Sequence, residues 1–169
     1  MPVRSIFAAA ALSGVVLLSA CDPAPKSETQ AESETASSQI NISNAWSRET
    51  AQGQDAGGAF MTIVNTSDGA DRLLGGTTSV AQEVQVHTVD MTGGVMRMRQ
   101  LKDGLEIPAG GTVMLAPGNF HIMLMQLKQP LEQETTVPVV LQFEKAGDVE
   151  VELVVQPVGS EGPMGNDHD

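Results

Sequence analysis

The chain has 169 residues, with 9 Lys and Arg against 21 Asp and Glu, and a formal net charge of -12. Such acidity favours the approach of cations and argues against a nucleic-acid partner. A single cysteine, Cys21, excludes a disulfide framework and a thiolate zinc site.

The N-terminus reads as an export signal over residues 1–20. Met1-Pro2-Val3-Arg4 is short and positive, and Ile6 to Leu18 is apolar but too short to span a bilayer comfortably. It ends in Leu18-Ser19-Ala20-Cys21, which resembles the bacterial lipobox. Lipidation at Cys21 would hold the protein to a membrane through its acyl chains. Asp22 resembles the inner-membrane retention signal of enterobacterial lipoproteins, so the expected location is periplasmic, on the inner membrane. Residues 21–39 are the anchor followed by Ser, Glu, Thr, Ala and Pro without a large apolar side chain, a composition that cannot order itself and reads as a tether.

Residues 40–158 are enough for one domain with a real core. Turn signals divide this stretch into short runs of β-branched and apolar residues. In chain order the expected strands are 42–46, 59–65, 72–77, 83–89, 95–101, 112–115, 120–127, 136–143 and 149–156. Asn65-Thr66-Ser67-Asp68-Gly69, Thr92-Gly93-Gly94, Pro108-Ala109-Gly110-Gly111 and Ala146-Gly147-Asp148 are among the turns between them. No long stretch has a helical repeat, so the expected class is all-β, a sandwich or barrel. Residues 159–169 read as a flexible tail carrying Met164 and His168.

Alternation along the strands sorts the side chains. In 120–124, Phe120, Ile122 and Leu124 share one face, which reads as core, and His121, Met123 and Met125 share the other. In 83–88, Val84 and Val86 point one way, and Glu83, Gln85 and His87 the other. In 95–99, Met96 and Met98 share a side opposite Val95, Arg97 and Arg99; the two arginines read as a solvated face or a contact to a partner's carboxylate. A lone His on such a face is usually a surface residue, and a lone Met is usually core filler. His121 and Met123 together are different: they project from one strand face, roughly 6.5–7 Å apart. His87 and Met98, on either side of the Gly-Gly turn, can complete a set of four. Imidazole with thioether suits copper, above all Cu(I), and suits zinc, magnesium or calcium poorly. A blue-copper site would need a Cys thiolate, and Cys21 lies too far out to supply it.

The residues also resemble a known family, the periplasmic copper chaperones called PCuAC. The family signature is a His, ten residues, a Met, about twenty-one residues, then His-x-Met. Here ten residues separate His87 from Met98, and twenty-two separate Met98 from His121, the extra one falling in the loop Gln100–Gly104. The stretches Gly57-Gly58-Ala59-Phe60-Met61-Thr62-Ile63-Val64-Asn65, Gly93-Gly94-Val95-Met96-Arg97-Met98-Arg99 and Ile107-Pro108-Ala109-Gly110-Gly111 also look like the family. The resemblance implies a cupredoxin-like Greek-key β-sandwich and an exposed Cu(I) site made by His87, Met98, His121 and Met123. It also implies copper delivery to a cytochrome c oxidase subunit, with a thioredoxin-fold assembly factor as a further partner.

Two neutral imidazoles and two thioethers add no charge to Cu(I), and acid should weaken binding because a coordinating imidazole must be neutral. The alternatives are a periplasmic copper buffer or resistance lipoprotein, and a metal-free β-sandwich interaction module. Paired carboxylates around His87 or His121, a Ser/His/Asp arrangement and a phosphate-cradling loop are all lacking, so no enzyme is expected. Met96, Met125, Met164 and His168 are the candidates for a second copper ion.

Overall fold

A computed structural model describes residues 39–162 apart from Gly93. The export segment 1–20, the tether to residue 38, Cys21, Met164 and His168 lie outside the described residues. Ten strands make up the fold: β1 (Ile40–Arg48), β2 (Ala56–Asn65), β3 (Asp71–Thr78), β4 (Glu83–Thr92), β5 (Val95–Gln100), β6 (Leu105–Ile107), β7 (Thr112–Leu115), β8 (His121–Met125), β9 (Thr136–Phe143) and β10 (Gly147–Gln156). Among the described residues there is no helix. The all-β class expected from the spacing is therefore the architecture.

The strands join in the order β5-β4-β8-β2-β1-β10-β9-β3-β6, and β7 adds to β2. A pairing of β3 with β4 at Gly76 and Val84 closes this path into a barrel. Only β1 and β10 run parallel; the other pairs are antiparallel. β6 is the strand that sequence missed. It is three residues long, wedged between Gly104 and Pro108, too short for alternation to show, yet Leu105 and Ile107 are buried against β3.

Alternate residues of the barrel strands fill the interior, among them Ala59 and Ile63 from β2, Val84 and Val86 from β4, Ile122 and Leu124 from β8, and Val139 and Leu141 from β9. Each large aliphatic side chain so buried contributes about 2 kcal/mol. A one-residue slip of β8 would expose Ile122 and Leu124 together, so the core pins that strand's facing.

Two local devices shape the sheet. Gly76 pairs with both Val84 and Leu141, and a Cβ there would collide with the Val140 carbonyl oxygen. In β1 an extra residue sits between Ser43 and Trp46, a bulge with Asn44 at φ 51°. Asn tolerates that left-handed conformation better than most side chains. The extra residue places Trp46, rather than Ala45, opposite Phe60.

Asp71 ties the far end together. One carboxylate oxygen accepts the backbone N–H groups of Arg72 (2.7 Å) and Lys145 (2.9 Å), and the other accepts that of Ala146 (2.9 Å). Burial alone would raise this carboxyl's pKa. The three N–H donors and the Lys145 charge outweigh it, and the pKa lies below 3.8.

Two predictions follow from these contacts. Asp71 is charged in the fold below the pH at which it charges in the unfolded chain. Its stabilisation is therefore complete above pH 3.8 and is lost as pH falls through the lowered folded value. Asp71→Asn should lower stability at pH 7 by about 2 kcal/mol, because an NH2 replaces an acceptor facing N–H groups, and should flatten the acid limb of the stability curve. Urea unfolding between pH 2.5 and 7 checks this. Gly76→Ala should cost about 2 kcal/mol or more, since the colliding atom is backbone; thermal unfolding reads it.

Candidate metal centre

The antiparallel register of β4 and β8 sets His87 directly opposite His121, and the two imidazole centroids are 5.8 Å apart. One step beyond the Ala59–Ile122 pair, Phe60 comes beside His121 with centroids 6.4 Å apart. Trp46, carried there by the β1 bulge, packs on Phe60 at 4.6 Å. Four rings thus run in one row across β1, β2, β8 and β4. Arg48 closes its far end, with its guanidinium carbon 5.6 Å from the Trp46 and Phe60 rings and its Nε donating to the Ser160 carbonyl. Because rings flank it on both sides, His121 is only 5 % exposed despite lying on the outer face. The expectation of an exposed site therefore holds for part of the set only.

The proton on each imidazole is assigned by its neighbours. His121 Nδ1 lies 2.9 Å from the Asn119 carbonyl oxygen. A carbonyl only accepts, so Nδ1 carries the hydrogen and the lone pair of the neutral ring is on Nε2. Gln85 donates its Nε2 to the Glu83 carboxylate, which turns its Oε1 toward His87 Nε2 at 2.9 Å. His87 Nε2 is then the donor, and its lone pair is on Nδ1. That Nδ1 is buried with no hydrogen-bond partner among the described residues. A buried lone pair left without a donor costs roughly 1–3 kcal/mol, the condition a Lewis acid would relieve. Orienting a ligand ring through its other nitrogen is the arrangement that metal-binding histidines generally use.

The thioethers flank this pair. Met123 stands opposite Gln85, two residues from His121 along β8 and diagonal to His87. Met98, on β5, stands opposite Val89 of β4, diagonal to His87 on the other side, and is 66 % exposed. All four side chains share one face of β5, β4 and β8, because directly paired residues point the same way. The pairing brings the two imidazoles together directly. It leaves Met98 and Met123 on opposite sides of them, two strands apart. Met125 lies further along, opposite Glu83. Arg97 and Arg99 occupy the reverse face of β5, opposite Asp90 and Thr88.

Sequence reading missed Trp46, Phe60, Gln85 and the Asn119 carbonyl. Alternation puts Gln85 on the His87 face, but its bond to the ring needs the folded register. The aromatic row could not be foreseen, because the bulge that creates it leaves no trace except Asn44.

Burial pushes the His87 pKa below 6.5, and the neighbouring His121 lowers it further. The neutral ring is therefore favoured in the fold. That stabilisation is present above pH 6.5 and is lost as pH falls from there through the lowered folded value.

Residues 40–155 match the family described as "Putative lipoprotein LpqE-like". The chain belongs to that family. It is also 40 % identical over 104 residues to "Putative lipoprotein Lxx21020" of Leifsonia xyli subsp. xyli (strain CTCB07). That match spans 62 % of this chain and 61 % of the relative. Among solved structures it is similar to one described as "Copper-bound PCuAC domain from PmoF2", with 27 % identity, a TM-score of 0.60, and 70 % of this chain and 93 % of that one covered. It is likewise similar to "Solution structure of CuI-DR1885 from Deinococcus Radiodurans", with 30 % identity, a TM-score of 0.56, and 68 % and 76 % of the two chains covered. The resemblance to PCuAC domains stated from the motif thus has its counterpart in the fold.

An NMR titration of the imidazole C–H signals in the metal-free protein should give His87 a midpoint below 6.5. In His121→Ala that midpoint should rise but stay below 6.5, because burial is the larger cause. A wild-type midpoint at or above 6.5 would contradict the burial argument.

Proposed function

We propose that this domain is an extracytoplasmic copper chaperone. It holds Cu(I) through His87, Met98, His121 and Met123 and passes the ion on, with cytochrome c oxidase as recipient. The observation that carries the reading is the facing pair of imidazoles, each with one nitrogen committed as a donor and one lone pair left over, flanked by thioethers on a single sheet face. The likeness to solved PCuAC domains, one described as copper-bound and one as CuI-bound, supports it.

The chemistry of the donor set follows. Neutral imidazoles and thioethers add no charge, which suits a soft monovalent ion over Cu(II), zinc or magnesium. His121 and His87 are oriented before the cargo arrives, so little ordering has to be provided on binding. Met98 is solvent-exposed, so a recipient's thiolate or imidazole can add to the ion as Met98 leaves. Transfer is then ligand exchange, with no change of oxidation state. Family membership among lipoproteins and the lipobox-like Leu18-Ser19-Ala20-Cys21 support a membrane-anchored location, and the resemblance of Asp22 to the enterobacterial retention signal supports the inner membrane. A thioredoxin-fold assembly factor is the further partner proposed.

Anaerobic competition of the full chain with a chromophoric Cu(I) chelator tests the site. Wild type should hold one equivalent tightly. Met98→Ala and His121→Ala should each weaken it by more than the roughly 10–100-fold that loss of an outer-shell partner costs. Unchanged binding in both variants would sink the four-ligand site. Loss of oxidase copper on deletion of the gene separates delivery from buffering: normal oxidase copper would favour the buffer or resistance reading.

A further inference from the structure

The β4–β5 hairpin holds side chains that the barrel does not use. Every residue of β5 is exposed. The register pairs Met91 with Met96 directly and Met98 with Val89, so Met91, Met96 and Met98 lie on the same face as His87. Met91 is 65 % exposed, Met96 63 % and Met98 66 %. The reverse face of the ribbon carries Asp90, Arg97 and Arg99. Burying a Met side chain contributes about 1.5–3 kcal/mol, and these three forgo most of it. Exposed thioethers on an edge strand also carry costs, in sulfoxide formation and in association of the edge. Packing therefore does not account for the stripe.

Coordination does. Met91 and Met96, as a direct cross-strand pair, have Cβ atoms about 4.5–5.5 Å apart. Met98 follows Met96 on the same strand face by roughly 6.5–7 Å. Exposure falls along the row, from Met91, Met96 and Met98 in solvent, through half-buried His87, to buried His121. We propose that Met91 and Met96 form a separate, thioether-only landing site for Cu(I), and that Met98 is shared between it and the imidazole pair. The proposal rests on the Cu(I) reading of the His87–His121 site. An ion held by Met91 and Met96 gains the Met98 sulfur, then loses one outer thioether, then gains an imidazole nitrogen. Every ligand gained or lost is neutral, so the ion remains monovalent throughout.

The outer pair should be the weaker station. It offers no imidazole, and both its side chains must be ordered from solvent on binding. Met91→Leu with Met96→Leu leaves the core untouched, because neither Met is part of it.

The test is a titration of the full chain, carrying 13C-labelled Met methyl groups, with Ag(I), a soft monovalent ion that does not oxidise in air. The same chain is titrated anaerobically with Cu(I) against a chelator. Wild type should take up one tight and one weaker equivalent, and the weaker should shift the Met91 and Met96 methyl signals. Met91→Leu with Met96→Leu should lose only the weaker equivalent and load more slowly from a weak Cu(I) donor, while the ring signals of His87 and His121 still respond. His87→Ala with His121→Ala should lose only the tight equivalent. Unmoved Met91 and Met96 methyl signals at saturation, or a weaker equivalent that shifts only Met164, would overturn the landing site while leaving the imidazole site standing. The converse, one weak equivalent in wild type that shifts Met91 and Met96 and is kept in the His double variant, would support the landing site and overturn the imidazole site. No uptake by any of the chains overturns both.

Discussion

Ile122 and Leu124 enter the barrel interior from β8, and the pleat leaves His121 and Met123 no place but the outer face. The two core side chains contribute about 2 kcal/mol each, far more than a surface contact supplies. The same holds on β4, where Val84 and Val86 point inward and Gln85 and His87 outward. Because β4 and β8 are neighbours in a closed sheet, two core-driven facings become one pair of facing imidazoles. The facing of the two imidazoles is in that sense a by-product of hydrophobic registration.

The outer face is then refined by polar contacts of smaller size. A carboxylate orients the Gln85 amide, the amide selects the His87 tautomer, and a backbone carbonyl selects that of His121. Each link is worth only about 1 kcal/mol net. Their consequence is directional: they leave one lone pair per ring. The row of Trp46, Phe60 and His121 excludes water from one side of the pair. Burial and the second imidazole together keep His87 neutral, which is the state a metal requires.

The hairpin of β4 and β5 contrasts with this base. Its root is packed against β8, and its tip stands clear of the barrel with thioethers on one face and charges on the other. A carrier has to bind its cargo and also release it. An imidazole pair, one ring buried and the other half-buried, lies beside an exposed thioether stripe on one sheet face, and the proposed landing site would separate these tasks between the two.

Much of this was legible in the sequence. Nine of the ten strands follow from β-branched runs and turn residues, and alternation assigned His87, His121 and Met123 to faces without any partner strand in view. Imidazole with thioether pointed to Cu(I), and the PCuAC resemblance, carried by His87, Met98, His121 and Met123, implied the same ligand set. Alternation is a local property of the pleat, so a single chain segment displays it. Strand register is not local. That His87 faces His121, that Met91 faces Met96, that one extra residue in β1 brings Trp46 to Phe60, and that His121 is buried on an outer face were decided only when distant segments paired. The energy that chose those pairings lies in a core shared by all the strands, and no segment carries it alone.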